Sequence, residues 1–461
     1  MKVLLIQPPA RFLKQESIVI PPLGLAYLAS SVEGDGHKVK ILDAFAKWLS
    51  WTEFEEEVKK EKPDVIGIGG MTPTIDLTIR AIKICRPYTP TIVVGGPHLT
   101  VYKQDFFREC PEADLGIIGE AEESFRLVLK RIEEKKDIWD IPGIVCVDKI
   151  NPPNGYIENL DNLPFPARHL LSDRHYRYAL WPGKKITTMI TSRGCPYQCI
   201  FCDKSIFGSR WRARSPQNVV EELELVTKEF GVQSIIIYDD LFTFNKQRVM
   251  DICQGILEKG LKIEWKCEGR VDRVDFEMLK LMKKAGCSLI AYGVESANQN
   301  SLNFLKKGTT IGQIRRAFEI TRQAGVRPMA YFILGIPTET YDESLKTIKF
   351  AKELDPDFAQ FSILSPYKGT KLYEETKRQN WYQEVEAKNP FDKDKKRPVV
   401  ISDHWSEKNL RKILRAAHKS FYFRPSYIIK KLIKVRNLQQ ISDLFSAGLG
   451  ILRWYFSKEA S

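Results

Sequence analysis

Three thiols fall within eight residues of this chain, in the run Cys195-Pro196-Tyr197-Gln198-Cys199-Ile200-Phe201-Cys202. Three cysteinyl sulfurs can hold three irons of a 4Fe-4S cluster, whereas a closed cluster normally takes four protein thiolates. No fourth cysteine lies close by, since the next is Cys253. One iron corner would therefore stay open for another ligand. A structural zinc site would need a fourth protein ligand. The nearest histidines, His169 and His175, lie upstream in a linker-like stretch.

A loop of this kind has to be presented by a rigid element. An apolar strand-like run, residues 186–190, stands just before it. Further strand-like runs follow at 234–238, 263–267, 288–293, 329–334 and 358–364, with helical patterns between them. Val219, Leu223, Val226 and Phe230 recur every three to four residues, as one apolar helix face requires. Asn245 is placed to cap the helix carrying Val249, Ile252 and Ile256. Six such units predict a (βα)6 partial TIM barrel, with chemistry at the C-terminal ends of its strands. The residues at those ends are Asp239 and Asp240, Glu268 and Arg270, Gly293-Val294-Glu295-Ser296, and Gly335-Ile336-Pro337.

The first ~150 residues carry a second alternation. Strand-like runs at 2–7, 38–42, 64–69, 91–95 and 115–118 are separated by helical patterns such as 52–60 and 75–86. This predicts an α/β, doubly wound parallel sheet of flavodoxin or Rossmann type, in which ligands sit beyond the carboxyl ends of the strands. Those ends read Gln7-Pro8-Pro9, Gly70-Met71-Thr72-Pro73-Thr74, Gly95-Gly96-Pro97-His98 and Gly119-Glu120-Ala121-Glu122. Glycines there let backbone approach a ligand closely. None of the four is a GxGxxG fingerprint, which disfavours a nicotinamide cofactor.

The cysteine spacing resembles the signature of the radical S-adenosylmethionine (radical SAM) enzymes. The Thr72-Pro73-Thr74 loop and the Gly95-Gly96 turn resemble the cobalamin-binding domain of corrinoid enzymes. The run Leu160-Asp161-Asn162-Leu163-Pro164-Phe165-Pro166-Ala167 is similar to the strap that joins the two domains in cobalamin-dependent radical SAM enzymes. The resemblance implies a cobalamin-binding domain at 1–149, a linker at 150–185 and a radical SAM barrel at 186–370. A basic, mostly helical region at 371–461 would then carry substrate specificity. It implies three cofactors: a 4Fe-4S cluster on Cys195, Cys199 and Cys202, S-adenosylmethionine, and cobalamin. The S-adenosylmethionine site would comprise Phe201 against the adenine, Glu268, Arg270 on the methionine carboxylate, Glu295, Ser296, Gly335 and Pro337. The cobalamin site would comprise Pro8, Pro9, Met71, Thr72, Pro73, Thr74, Gly95, Gly96, Pro97, His98, Gly119, Glu120 and Glu122. Corrinoid domains that ligate cobalt carry Asp-x-His-x-x-Gly after the first strand. Here that loop begins Gln7-Pro8-Pro9-Ala10 and holds no histidine.

The activity implied is methyl transfer to an unactivated carbon of a small or lipid-like substrate, with a reductant such as flavodoxin or ferredoxin. The alternative is a radical cyclase similar to the anaerobic magnesium-protoporphyrin IX monomethyl ester cyclases. More distant are an RNA methylthiotransferase, whose three further clustered cysteines are not matched by the dispersed Cys85, Cys110 and Cys146, and a non-catalytic cobalamin- or zinc-binding protein.

Composition fits these expectations. The 461 residues, 43% of them hydrophobic, suggest two or three domains with real cores. No run of about 20 apolar residues points to a membrane span. Nine cysteines with no recognisable export signal fit a reducing cytoplasm. The formal charge of +13 concentrates at the end, where twelve Lys/Arg face three Asp/Glu from Glu407 onward. Aromatics there cluster rather than interleave with charge, so no nucleic-acid partner is expected. A solvated helical face is one reading of this stretch. Peripheral contact of Lys430, Lys431, Lys434 and Arg436 with an anionic membrane is another.

Overall fold

The structure, a computed structural model, describes residues 1–10, 18–153, 155–171, 176–386 and 396–433. The chain divides into two compact units, one of residues 1–195 and 204–234, the other of 196–203 and 235–461. The division runs through the cysteine loop.

The first sheet has six strands: β1 (Lys2–Gln7), β2 (Lys38–Asp43), β3 (Val65–Gly69), β4 (Thr91–Gly95), β5 (Leu115–Ile117) and β6 (Ile144–Val145). Their order is β2–β1–β3–β4–β5–β6, parallel except for the antiparallel edge pair β5–β6. β3 reads Val-Ile-Gly-Ile-Gly and β4 Thr-Ile-Val-Val-Gly. Such unbroken apolar runs suit strands covered on both faces. One face packs on Phe54, Ile82, Phe106 and Leu99, the other on Ala26, Phe125 and Leu129. Five strands were expected; β6 is a sixth, two residues long.

The second sheet comprises β7 (Ile186–Met189), β8 (Ser234–Ile237), β9 (Glu264–Gly269), β10 (Cys287–Glu295), β11 (Arg327–Leu334) and β12 (Phe358–Ile363), in the order β12–β11–β10–β9–β8–β7. The pairs β9–β10, β10–β11 and β11–β12 are parallel. Helices intervene, and Asn245 caps Lys246–Glu258 through its side chain as expected.

The region from 371 onward, expected to be mostly helical, also holds a strand pair: Tyr382–Glu386 and Lys396–Val400 are antiparallel. Dense charge masked the alternation in the sequence. Within the expected linker 150–185, Leu160, Ala167 and Arg168 are buried and Arg177–Tyr178 pairs with Ile18–Val19. His175, Lys434, Arg436 and the apolar residues 444–456 lie outside the described residues.

Candidate functional site

The cysteine loop grows from a narrow neck. Ser192–Arg193 pairs antiparallel with Arg212–Ala213, Arg193 directly opposite Arg212. Gly194 follows with φ +83°. A Cβ there would sit 2.2 Å from the Arg210 carbonyl oxygen, so a side chain has neither the conformation nor the room. The Cys195 N–H donates to the Gly208 carbonyl at 3.3 Å, and Lys204 Nζ donates to the Cys195 carbonyl at 2.9 Å.

Buried charge surrounds this neck. Arg193 donates to Glu120 at 3.2 Å and to Glu122 at 2.5 Å. Arg212 donates to Glu120 at 3.0 Å. Burial pulls the Arg193 guanidinium down, but the two carboxylates outweigh it and leave its pKa raised. A second set lies beside it, where Arg168 and Arg214 both reach the buried Glu222. Burial alone would raise that carboxyl; the two arginines outweigh it and hold its pKa below the usual value.

The remainder of the loop is held differently. The Ile200 N–H donates to the Leu305 carbonyl at 3.1 Å, and the Leu372 N–H donates to the Ile200 carbonyl at 2.8 Å. Ile200 and Phe201 pack with Leu305, Ile336, Leu364 and Leu372. The Arg270 guanidinium lies 3.5 Å from the centroid of the Tyr197 ring.

None of the three thiols is in a disulfide; Cys195 and Cys199 are half-buried and Cys202 is exposed. Among the described residues no three His, Cys, Asp or Glu side chains are gathered for a single metal ion. A cubane makes a different demand, because each thiolate binds its own iron. Three thiols outside any disulfide, in one short loop, fit that donor set.

The strand-end residues expected beside the cluster occupy connected positions within the second unit. Arg270, buried, also donates to Asp272 at 2.9 Å and to the Lys307 carbonyl at 2.8 Å. Lys307 Nζ in turn reaches Glu295 at 2.6 Å. Glu295 ends β10 at a register shift and has φ +65°. A buried non-glycine residue in that conformation is stored strain of the kind found at ligand sites. Gly293 makes room, since a Cβ there would meet Glu295 Oε1 at 2.3 Å. Glu268 accepts from Lys266 at 2.9 Å and from the Tyr331 hydroxyl at 3.3 Å. Asp239 is buried and Asp240 exposed at the end of β8. Ser296 donates to Glu339, a buried carboxyl absent from the sequence-based set. Burial raises the Glu339 pKa against the lowering effect of its serine partners. Gly335 and Pro337 are buried, and a Cβ on Gly335 would strike Leu410 at 2.3 Å. The Trp405 indole donates to the neighbouring Ile336 carbonyl at 2.9 Å.

In the first unit, Gly70 and Gly96 lie back to back. The Gly70 N–H donates to the Gly95 carbonyl, the His98 N–H donates to the Gly70 carbonyl, and a Cβ on Gly96 would sit 2.8 Å from that oxygen. A Cβ on Gly69 would meet nothing within 4 Å, and Met71 is 58% exposed above it. An open strand end with one exposed apolar side chain fits a large flat ligand. Thr72, Pro73 and Thr74 form a single 3-10 turn, and His98 is buried with Nδ1 3.2 Å from Thr72 Oγ1 and its ring stacked on Tyr102. Pro8 and Pro9 are buried, Pro97 is half-buried, and the Gly119 N–H donates to Thr100 Oγ1 at 3.1 Å.

Two family models match the chain. The B12 binding domain family matches residues 18–129 and the Radical SAM superfamily matches residues 189–351. The uncharacterized methyltransferase PH0819 of Pyrococcus horikoshii is 36% identical over 443 residues, 94% of this chain and 95% of that protein. An anaerobic magnesium-protoporphyrin IX monomethyl ester cyclase of Rubrivivax gelatinosus is 29% identical over 371 residues, 77% of this chain and 66% of that protein. The solved radical S-adenosylmethionine methyltransferase TsrM of Kitasatospora setae, with cobalamin and a 4Fe-4S cluster bound, superposes with a TM-score of 0.74. It is 18% identical, over 92% of this chain and 89% of that one.

Proposed function

Because the chain belongs to the cobalamin-dependent radical SAM enzymes, we propose that it transfers a methyl group to an unactivated carbon, or another poorly nucleophilic centre, of a small or lipid-like molecule. As a member it is an enzyme that uses a 4Fe-4S cluster, S-adenosylmethionine and cobalamin. Together these supply a transferable methyl group and a 5′-deoxyadenosyl radical able to abstract an unactivated hydrogen. One observation carries methyl transfer over cyclisation. The match to a methyltransferase runs through 95% of that protein at 36% identity, whereas the matches to three cyclases run through 61%, 66% and 77% of theirs at 26–29% identity.

The residues are assigned as follows. Cys195, Cys199 and Cys202 would hold three irons. Arg270 and Glu295, linked through Lys307, would orient the polar end of S-adenosylmethionine, with Glu268 and Ser296 beside them. Phe201, Gly335 and Pro337 would face its adenine. The glycine turns at 95–96 and 119, with Met71 to Thr74, Pro97 and His98, would seat the corrinoid on the first sheet, Pro8 and Pro9 backing it. No histidine from the loop after β1 would reach cobalt. The helix Glu407–Tyr422 supports a substrate-facing role for the C-terminal region, because its Leu410 abuts Gly335. We place the working boundaries at 149, 185 and 370.

The deciding experiment is product analysis with a methyl-deuterated donor and cell extract as substrate source. A labelled product supports transfer; an unlabelled, oxidised or cyclised product removes it. The finer proposal is lipid contact through the helix Pro425–Ile433, where Ile428, Ile429 and Ile433 are exposed. Lys430 and Lys431 turn instead toward Asp355 and Asp357, so the isoleucines would carry that contact. Failure to float with anionic vesicles at low salt would remove it. Among the described residues no helix is long and apolar enough to cross a membrane.

A further inference from the structure

We infer that Glu120 and Glu122 are positioning residues for the first cluster thiol, clamping the neck of the cysteine loop rather than contacting the corrinoid. This rests on the proposed function and departs from the role that family resemblance gives these two carboxylates.

The geometry is specific. Glu120 follows the left-handed Gly119 just beyond β5, and its two oxygens are divided between the two strands of the neck. Oε1 accepts from Arg193 at 3.2 Å. Oε2 accepts from Arg212 at 3.0 Å and from the Ile157 N–H at 2.7 Å. Arg193 and Arg212 are directly opposite in the ladder, so one carboxylate ties both rungs. Glu122 takes the remaining fork of Arg193 at 2.5 Å. The four side chains are between 2% and 9% exposed.

Two buried arginines and two buried carboxylates balance in charge, yet an apolar set of the same volume is often at least as stable. What the ion pairs add is direction, because a guanidinium fork fixes both distance and plane. The signal reaches Cys195 without slack. Only Gly194 separates it from Arg193, and a Cβ on that glycine would meet the Arg210 and Phe207 carbonyl oxygens at 2.2 and 2.9 Å. Arg212 also donates to the Phe207 carbonyl at 3.1 Å, which closes the neck from the other side. A shift of the Glu120 carboxylate must therefore move Cys195. A thiolate displaced by a fraction of an ångström from its iron loosens the cluster corner it holds.

The test uses anaerobically reconstituted full-length enzyme loaded with cluster and corrinoid, comparing wild type, Glu120→Gln and Arg193→Lys. Two quantities are read: corrinoid affinity by optical titration, and the rate at which a ferrous chelator strips cluster iron. For Glu120→Gln we expect corrinoid affinity within about twofold of wild type and iron loss faster by roughly tenfold or more, the usual scale for a second-sphere change. Arg193→Lys, which keeps the charge and loses the fork, should fall between. Weakened corrinoid binding with unchanged iron loss would overturn the inference, as would two unchanged readings. Both readings worsening together would mark a general loss of structure and also overturn it. If Glu120→Gln does not fold, Glu122→Gln, which removes the other carboxylate held by Arg193, is judged by the same outcomes. Wild type that takes up no cluster would sink the proposed function itself, a result distinct from all of these.

Discussion

The two sides of Cys195 are held by different physics. Toward the chain start and on the return strand, the loop is fixed by buried arginines and glutamates: Arg193 and Arg212 on Glu120 and Glu122, Arg168 and Arg214 on Glu222. From Pro196 to Asp203 it is fixed by Ile200 and Phe201 in an apolar cluster, by backbone bonds and by Tyr197 under Arg270. Apolar packing stabilises in proportion to area and tolerates small shifts. Buried ion pairs add little net stability but punish any change of geometry. The contrast assigns a division of labour, with the apolar side supplying stability and the charged side supplying aim.

Substitutions can break or sharpen that contrast. The largest effect should come from the ligands themselves. Cys195→Ala and Cys199→Ala, one on each side of the division, should both reduce 5′-deoxyadenosine formation to the level of a protein-free control. Unequal losses would show that one thiol is dispensable. Next comes Glu222→Gln, which strands two buried arginines and should cost about 3–5 kcal/mol in denaturant unfolding. Arg168 and Arg214 hold the Glu222 pKa below its ordinary value against the opposing effect of burial. Its stabilisation is therefore complete above the unfolded carboxyl pKa and is lost as pH falls through the lowered folded value. Glu222→Gln should flatten that acid limb.

On the apolar side, Ile200→Ala should cost about 2–4 kcal/mol with no change in the pH dependence. The smallest effect belongs to His418, in the helix Glu407–Tyr422 and next to Phe361. Burial pushes its pKa from 6.5 down to about 4. The folded state binds the proton less readily, so stability falls as pH drops from 6.5 toward 4 and levels off below. His418→Phe should remove this window and leave the lower one, due to Glu222, intact. If a single substitution erased both windows, the two regions would not be independent.

The sequence was most legible where local chemistry is repetitive. β1 and β4 begin and end where their apolar runs and flanking turns place them, and Asn245 caps its helix. Parallel strands buried on both faces leave continuous apolar runs that need no partner to be seen. The thiol spacing was visible for a similar reason, since all three residues lie in one loop. What escaped was non-local. Glu120 meets Arg193 and Arg212 from 73 and 92 residues away. A charged residue in a sequence carries no mark of which distant partner will bury it. Glu295 was legible as a candidate ligand at a strand end, but its left-handed φ and its bond to Lys307 appear only once β10 shifts register. β6 escaped because two residues cannot show an alternation.

The most direct test of the account is one anaerobic assay on reconstituted wild type, given S-adenosylmethionine and a strong reductant and analysed for 5′-deoxyadenosine. The account predicts its release from protein carrying about four irons and four sulfides per chain. A protein that binds one zinc tightly through the same thiols, takes up no iron–sulfur cluster and releases no 5′-deoxyadenosine would contradict it.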